Sequence, residues 1–121
     1  MDSEDCAREI TQVADVSDDN LNGWAYWQFK TYKDLTTSAG DRSEGFYNYD
    51  GTLEILKVKA LARTYVQSAQ GKIVSMNFNS TTAEFTTEIQ VDPSIDAPTE
   101  IHALIGNSSV AWYPNGVDVH F

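Results

Sequence analysis

The chain is poor in cysteine, in basic side chains and in long apolar runs. Its single cysteine, Cys6, has no partner for a disulfide within these 121 residues. Eight lysines and arginines stand against 18 aspartates and glutamates, which gives a formal charge of −10. That balance argues against a basic patch for binding nucleic acid or an anionic membrane surface. No run of residues approaches the ~20 apolar positions of a transmembrane helix.

The chain also lacks the motifs of several classes of enzyme. It has no glycine-rich phosphate loop and no nucleophile elbow. The two histidines, His102 and His120, have no paired carboxylate or cysteine pattern, so the sequence predicts neither a metal site nor a cofactor. Asp15, Asp18 and Asp19 lack the glycine and terminal glutamate of a calcium loop, and we interpret them as a solvated helix end.

What the chain does have is enough apolar and aromatic content, 41% and 12%, to form a packed core. Residues 3–16 are predicted to form an amphipathic helix, because apolar side chains recur there at helical spacing. The apolar face of this helix is predicted to contain Cys6, Ile10, Val13 and Ala14.

An aromatic segment follows, and its pattern is that of a strand. Residues 23–30 read Gly-Trp-Ala-Tyr-Trp-Gln-Phe-Lys, and both alternating faces are apolar, as in a barrel strand that is buried on both sides. A loop over 31–51, which contains Phe46 and Tyr47, and a helix over 52–69 complete a strand–loop–helix unit of an α/β barrel. Loops of this length in compact domains are commonly functional.

Trp27 is the strongest candidate for a binding residue. Near the end of the predicted strand, its flat indole ring suits the apolar face of a sugar, although the same spacing also fits a plain core residue. Gln28 and Lys30 follow at the mouth of the strand, where they would hydrogen-bond sugar hydroxyls or simply be solvated. No glutamate or aspartate ends a predicted barrel strand, so the chain offers no catalytic carboxylate pair.

The pattern becomes strand-like after Gly71. Residues 74–78 and 83–91 alternate and flank a turn at 79–82, which predicts a β-hairpin. Their spacing from the strands that follow suggests a small β-sandwich, with a domain boundary near Gly71. The later strands are predicted over 99–105, 110–113 and 117–121.

Several of these segments resemble family 5 glycoside hydrolases, and most closely the endoglycoceramidase and glucosylceramidase-like branch. The resemblance to the eighth strand, its loop and the eighth helix lies at residues 23–30, 34–37 (Asp-Leu-Thr-Thr), 50–53 (Asp-Gly-Thr-Leu) and 61–65 (Leu-Ala-Arg-Thr-Tyr). The resemblance to the β-sandwich that follows the barrel lies at residues 76–78 (Met-Asn-Phe), 83–85 (Ala-Glu-Phe) and 98–101 (Pro-Thr-Glu-Ile).

This resemblance implies an α/β-plus-β fragment. Residues 1–71 would be helix seven, strand eight and helix eight of a (β/α)8 barrel, and residues 72–121 the start of a C-terminal β-sandwich. The parent would be a retaining glycoside hydrolase that cleaves β-linkages of glycolipids such as glycosylceramides. Both of its catalytic glutamates would lie upstream of this chain, which would be inactive alone. Trp27 matches the strand-eight tryptophan that lines the sugar subsite next to the cleaved bond.

Two alternatives stay open. The chain also fits a non-catalytic, β-rich module that binds a carbohydrate or glycolipid, or a free-standing α+β protein whose helices cover the sheet. Two Asn-x-Ser/Thr triplets, which begin at Asn79 and Asn107, are compatible with a secreted or lysosomal parent, and chance alone also produces such triplets.

Overall fold

The computed structural model describes residues 3–29, 45–48 and 50–121. The strands form two separate antiparallel pairs in this part of the chain, β1 with β4 and β2 with β3. In chain order the elements are α1 (Ser3–Asp19), α2 (Ile55–Leu61), β1 (Tyr65–Ser68), β2 (Gly71–Phe78), β3 (Phe85–Val91) and β4 (Glu100–His102).

The first predicted helix is confirmed, and it runs three residues further than predicted, to Asp19. Ala14 and Asp18, four residues apart, are buried on the inner side of α1. Val13 is not on that side, since 62% of it is exposed, and its predicted place on the apolar face is wrong. Cys6 is only half-buried.

The predicted strand over 23–30 is wrong where the structure describes it. Residues 23–29 follow α1 as irregular backbone, and Lys30 lies outside the described residues. Strands form when neighbouring backbones pair with them. Among the described residues, the backbone pairing of this segment consists of one hydrogen bond, from the amide of Phe46 to the carbonyl of Phe29 (3.1 Å).

The helix predicted over 52–69 is correct only in its centre. α2 ends at Leu61, where the amide of Ala62 donates to the carbonyls of Val58 and Lys59. The chain then extends into β1, which pairs with β4 through Tyr65 opposite His102. Apolar residues at helical spacing continued through this segment, but pairing with a distant strand decided its conformation.

The predicted hairpin is confirmed as β2 and β3, which pair from Gly71 opposite Val91 to Phe78 opposite Phe85, with a register shift between Ile73 and Ser75. Gly71 is the first residue of this hairpin. Its φ is +140°, and a Cβ there would lie 2.1 Å from the carbonyl oxygen of Gln90. Only glycine allows this approach of the two backbones.

The later strands are shorter than predicted. The strand over 99–105 is reduced to β4, and residues 110–113 and 117–121 form no strand. Ile105 and Tyr113 pair as one isolated parallel bridge. Among the described residues, the β-structure is therefore two small ribbons, and those two strand predictions are wrong.

Arg63 lies at the centre of the packing. Its side chain is 3% exposed, and Nη2 donates to Asp15 Oδ1 and to Asp18 Oδ2, both at 2.7 Å. Its Cζ lies 5.2 Å from the ring centroid of Phe78. These contacts, which we call the Arg63 clamp, join α1, the chain after α2 and the β2 strand. The prediction of a solvated acidic cluster is wrong for Asp18, which is 4% exposed.

The C-terminal segment packs against the same region. Trp112 Nε1 donates to the carbonyl of Lys59 (2.9 Å), and its ring meets Phe78 edge-on at 4.9 Å. The hydroxyls of Thr64 and Tyr113 are hydrogen-bonded at 2.7 Å. This segment is therefore fixed by its side chains rather than by strand pairing.

Replacing Arg63 should destabilise the whole chain. Arg63→Met leaves the buried carboxylate of Asp18 without its partner, so we expect the free energy of unfolding to fall by about 3–5 kcal/mol in urea titrations. Arg8→Met is the matched control, because the ion pair of Arg8 with Asp5 is largely exposed and should change stability by less than about 1 kcal/mol. Equal losses in the two variants would contradict a special role for Arg63.

The Asp18 carboxyl should make stability depend on pH. Burial raises the pKa of Asp18 above its usual 3.8. The positive charge of Arg63 lowers this pKa, but less than burial raises it, and the negative charges of Asp15 and Asp19 raise it further. A carboxyl whose pKa is raised on folding stabilises the protein most when protonated. This contribution is complete below pH 3.8 and is lost as the pH rises through the raised pKa.

The comparison that isolates this effect is with Asp18→Asn, which does not titrate. We expect the free energy of unfolding of the wild type, relative to this variant, to decrease as the pH rises from below 3.8 through the raised pKa of Asp18. Urea titrations at a series of pH values measure it. A relative stability that instead increases with pH would mean that attraction by Arg63 outweighs burial.

Candidate substrate-binding site

Trp27 lies in the irregular segment after α1, and 61% of it is exposed. The described residues therefore leave most of its indole uncovered. Gln28, the next residue, is 9% exposed, so its side chain is turned into the protein. The predicted site residue Lys30 lies outside the described residues.

Four aromatic side chains pack together here, Tyr26 and Phe29 of this segment with Phe46 and Tyr47 of the loop, and we call them the aromatic platform. Phe46 contacts the rings of Tyr26 and Phe29 at centroid distances of 5.8 and 5.5 Å. Tyr47 meets Phe29 edge-on at 5.7 Å. The residues on both sides of the pair Trp27–Gln28 are thus anchored, while the Trp27 indole stays open to solvent.

A tight turn begins at Phe46 and Tyr47, the two residues that the loop contributes to the platform. Tyr47 and Leu53 form an antiparallel bridge, and the amide of Asn48 donates to the carbonyl of Thr52 (2.8 Å). Inside the turn, the Asp50 carboxylate accepts from the hydroxyl of Thr52 (2.6 Å) and from its amide (2.9 Å). These hydrogen bonds lower the pKa of Asp50 below 3.8, so it is ionised and occupied within the turn.

A buried lysine holds the start of this turn. Lys57 is 1% exposed, and its Nζ lies 2.6 Å from Glu54 Oε2 and donates to the carbonyl of Gly45 at 2.9 Å. Gly45 immediately precedes Phe46, so α2 fixes where the loop aromatics begin. The sequence interpretation missed this role of Lys57. The sequence contains one indication of this role: Lys57 is three residues from Glu54, a spacing that places both side chains on one side of a helix.

The exposed aromatic rings of this site offer flat apolar surfaces for binding. Among the described residues, the Glu54 carboxylate is paired with Lys57, and the Asp50 carboxylate accepts from Thr52. Glycoside hydrolysis usually needs two carboxyl groups that flank the bond. The described residues also contain no group of three or more potential metal ligands.

Lys57 should be essential for the turn. Lys57→Met leaves the Glu54 carboxylate buried without a cation, and we expect the free energy of unfolding to drop by about 3–5 kcal/mol by chemical denaturation. Lys72→Met, on an exposed position of β2, is the control and should stay within about 0.5 kcal/mol of the wild type. The assigned role of Lys57 fails if its variant is as stable as the Lys72 variant.

Comparison with known proteins gives one match. No curated protein and no solved structure matches the chain. Within the described residues, no helix has the length and apolar character needed to cross a membrane. Residues 63–121, which begin at Arg63 of the clamp and include all four strands, match the family model described as the glycoside hydrolase family 5 C-terminal domain. The match covers slightly less than half of the chain, so it shows a likeness of residues 63–121 to the C-terminal domain of family 5 glycoside hydrolases.

Proposed function

We propose that this chain is the C-terminal part of a retaining glycoside hydrolase that acts on β-glycosidic bonds of glycolipids such as glycosylceramides. The observation that carries the proposal is the family match over residues 63–121. In this proposal the chain through α2 is the end of a (β/α)8 barrel, and the β-sandwich begins before the predicted boundary at Gly71, because β1 pairs with β4. Residues 23–29 would then pair as a strand only with neighbours from the rest of that barrel.

In this proposal Trp27 forms part of a sugar subsite. Its exposed indole lies between two anchored aromatic neighbours in sequence, Tyr26 and Phe29. Such a ring contacts the apolar face of a sugar, while polar groups bind the hydroxyls at its edge. Gln28 and Lys30 are proposed to supply polar contacts, and for Gln28 this requires the buried amide to reach the rim of the site.

The catalytic groups are proposed to come from the remainder of the parent. A retaining enzyme uses one carboxyl as acid and base and a second as nucleophile, about 5–5.5 Å apart. Resemblance to the endoglycoceramidase-like branch assigns both to glutamates after barrel strands four and seven, upstream of residue 1. The isolated chain is therefore expected to bind substrate weakly and not to hydrolyse it. A secreted or lysosomal parent fits this substrate class.

A glycolipid substrate is favoured by an apolar groove near the same segment. The groove has a volume of about 530 Å³ and includes Trp24, three residues before Trp27, together with Tyr65 and Met76. A mainly apolar groove that includes part of the same segment as Trp27 suits a substrate that has both a sugar and a lipid part.

The second candidate is a non-catalytic module that binds carbohydrate or glycolipid, and the same exposed Trp27 favours it. The coding sequence upstream of Met1 separates the two. Alternating strands and helices with glutamates at two strand ends favour the enzyme. Their absence favours the binding module.

Both candidates predict that Trp27 contacts the sugar. When the chain is titrated with a soluble β-glucoside, we expect tryptophan fluorescence to change with a dissociation constant of about 1 mM or weaker, because one platform offers little contact area. Trp27→Ala should abolish the change. Trp24→Ala, which removes a less exposed indole, should retain it.

The opposite pattern would overturn the assignment of Trp27 to the sugar subsite. If Trp27→Ala keeps the full fluorescence change, the indole does not meet the sugar. The same preparation should give no turnover of a fluorogenic β-glucoside above buffer, and measurable turnover would contradict the proposal that the catalytic carboxylates lie elsewhere.

A further inference from the structure

The turn of the β2–β3 hairpin contains an acceptor sequence for N-linked glycans, Asn79-Ser80-Thr81. The hairpin closes around this triplet, since the amide of Asn79 donates to the carbonyl of Glu84 (2.9 Å) and the amide of Ala83 to the carbonyl of Asn79 (2.8 Å). The triplet therefore lies at the tip of the longest β-ribbon in the described part of the chain.

The side chain of Asn79 is oriented by the turn itself. Its Oδ1 accepts from the amides of Thr81 (2.9 Å) and Thr82 (3.2 Å). Because Oδ1 and Nδ2 lie on opposite sides of one planar amide, this arrangement directs Nδ2 away from the turn. Asn79 and Thr81 are exposed, and Nδ2 of Asn79 donates no hydrogen bond within the described residues.

A glycan at this tip would not disturb the packing described above. Asn79 precedes Ser80, which lies at the edge of a groove between α1, α2 and Trp112. The neighbouring Phe78, the last residue of β2, is buried and packs on Trp112, whereas Asn79 is exposed. The fold can thus carry a bulky polar group at Asn79 without opening its core.

We propose that Asn79 is an N-glycosylation site of this protein. The donor is an oligosaccharide linked to a lipid through a diphosphate, and an oligosaccharyltransferase supplies catalysis. Nδ2 of Asn79 attacks the anomeric carbon, a C–N bond forms, and the bond from that carbon to the diphosphate oxygen breaks. The lipid diphosphate leaves with the bonding electron pair, and the proton lost from Nδ2 passes to solvent. Nothing is oxidised or reduced.

The second triplet, Asn107-Ser108-Ser109, provides an internal comparison. Asn107 is also exposed, but its turn is closed differently, by a hydrogen bond from the amide of Ala111 to the carbonyl of Ser108 (3.0 Å). No side-chain bond holds the Asn107 amide among the described residues. Of the two triplets, the one at Asn79 is therefore the one whose acceptor amide is oriented by hydrogen bonds within the described residues.

The test is translation of the full chain, with a cleavable signal sequence, in the presence of endoplasmic-reticulum microsomes. We expect one glycan that peptide N-glycosidase removes, converting Asn79 to aspartate in the peptide mass spectrum. Asn79→Gln and Thr81→Ala should each abolish modification at this position. Thr81→Ser, which keeps the hydroxyl, should retain it, and so should Ser80→Ala and Asn107→Gln.

The variants change exposed residues of the turn, so they should keep the packed core and can be compared directly with the wild type. An Asn79 peptide recovered only as unmodified asparagine, from microsomes that glycosylate a standard acceptor protein, would overturn the proposal. Modification that persists in Thr81→Ala would overturn it as well.

Discussion

The Arg63 clamp is the interaction on which the rest of the described structure depends. A helix such as α1 is marginally stable by itself, and so is a two-stranded hairpin such as β2–β3. Neither of the two β-ribbons extends into a larger sheet among the described residues. The guanidinium of Arg63 binds two carboxylates of α1 and lies over the ring of Phe78 on β2, so one side chain joins elements that have little stability of their own.

A second buried cation performs a similar task for the candidate site. Lys57 connects α2 to the backbone at Gly45, as Arg63 connects the end of α2 to α1. The short helix α2 thus supports both the packed region around Phe78 and the loop that carries Phe46. The chain has only 8 basic side chains against 18 acidic ones. Arg63 and Lys57 are both buried, and each is paired with a buried carboxylate, Asp18 and Glu54 respectively.

Sequence reasoning predicted the elements that depend on local pattern. The helix α1 and the hairpin with its turn at Asn79 were both predicted correctly, because helical spacing and strict alternation each favour one conformation. The segments 23–29 and 62–69 were predicted wrongly. Their conformation depends on which strands are available to pair, and residue pattern does not contain that information. The buried roles of Arg63 and Lys57 were missed for a related reason, since lysine and arginine are nearly always exposed.

Native-state amide hydrogen exchange tests the central claim, that the Arg63 clamp makes α1 and the β2–β3 hairpin one cooperative unit. The account predicts that the slowest amides of α1 and those of β2 and β3 exchange with one common free energy of opening. The contradicting result is rapid exchange throughout α1 while the hairpin stays protected, because the two elements would then open independently of each other.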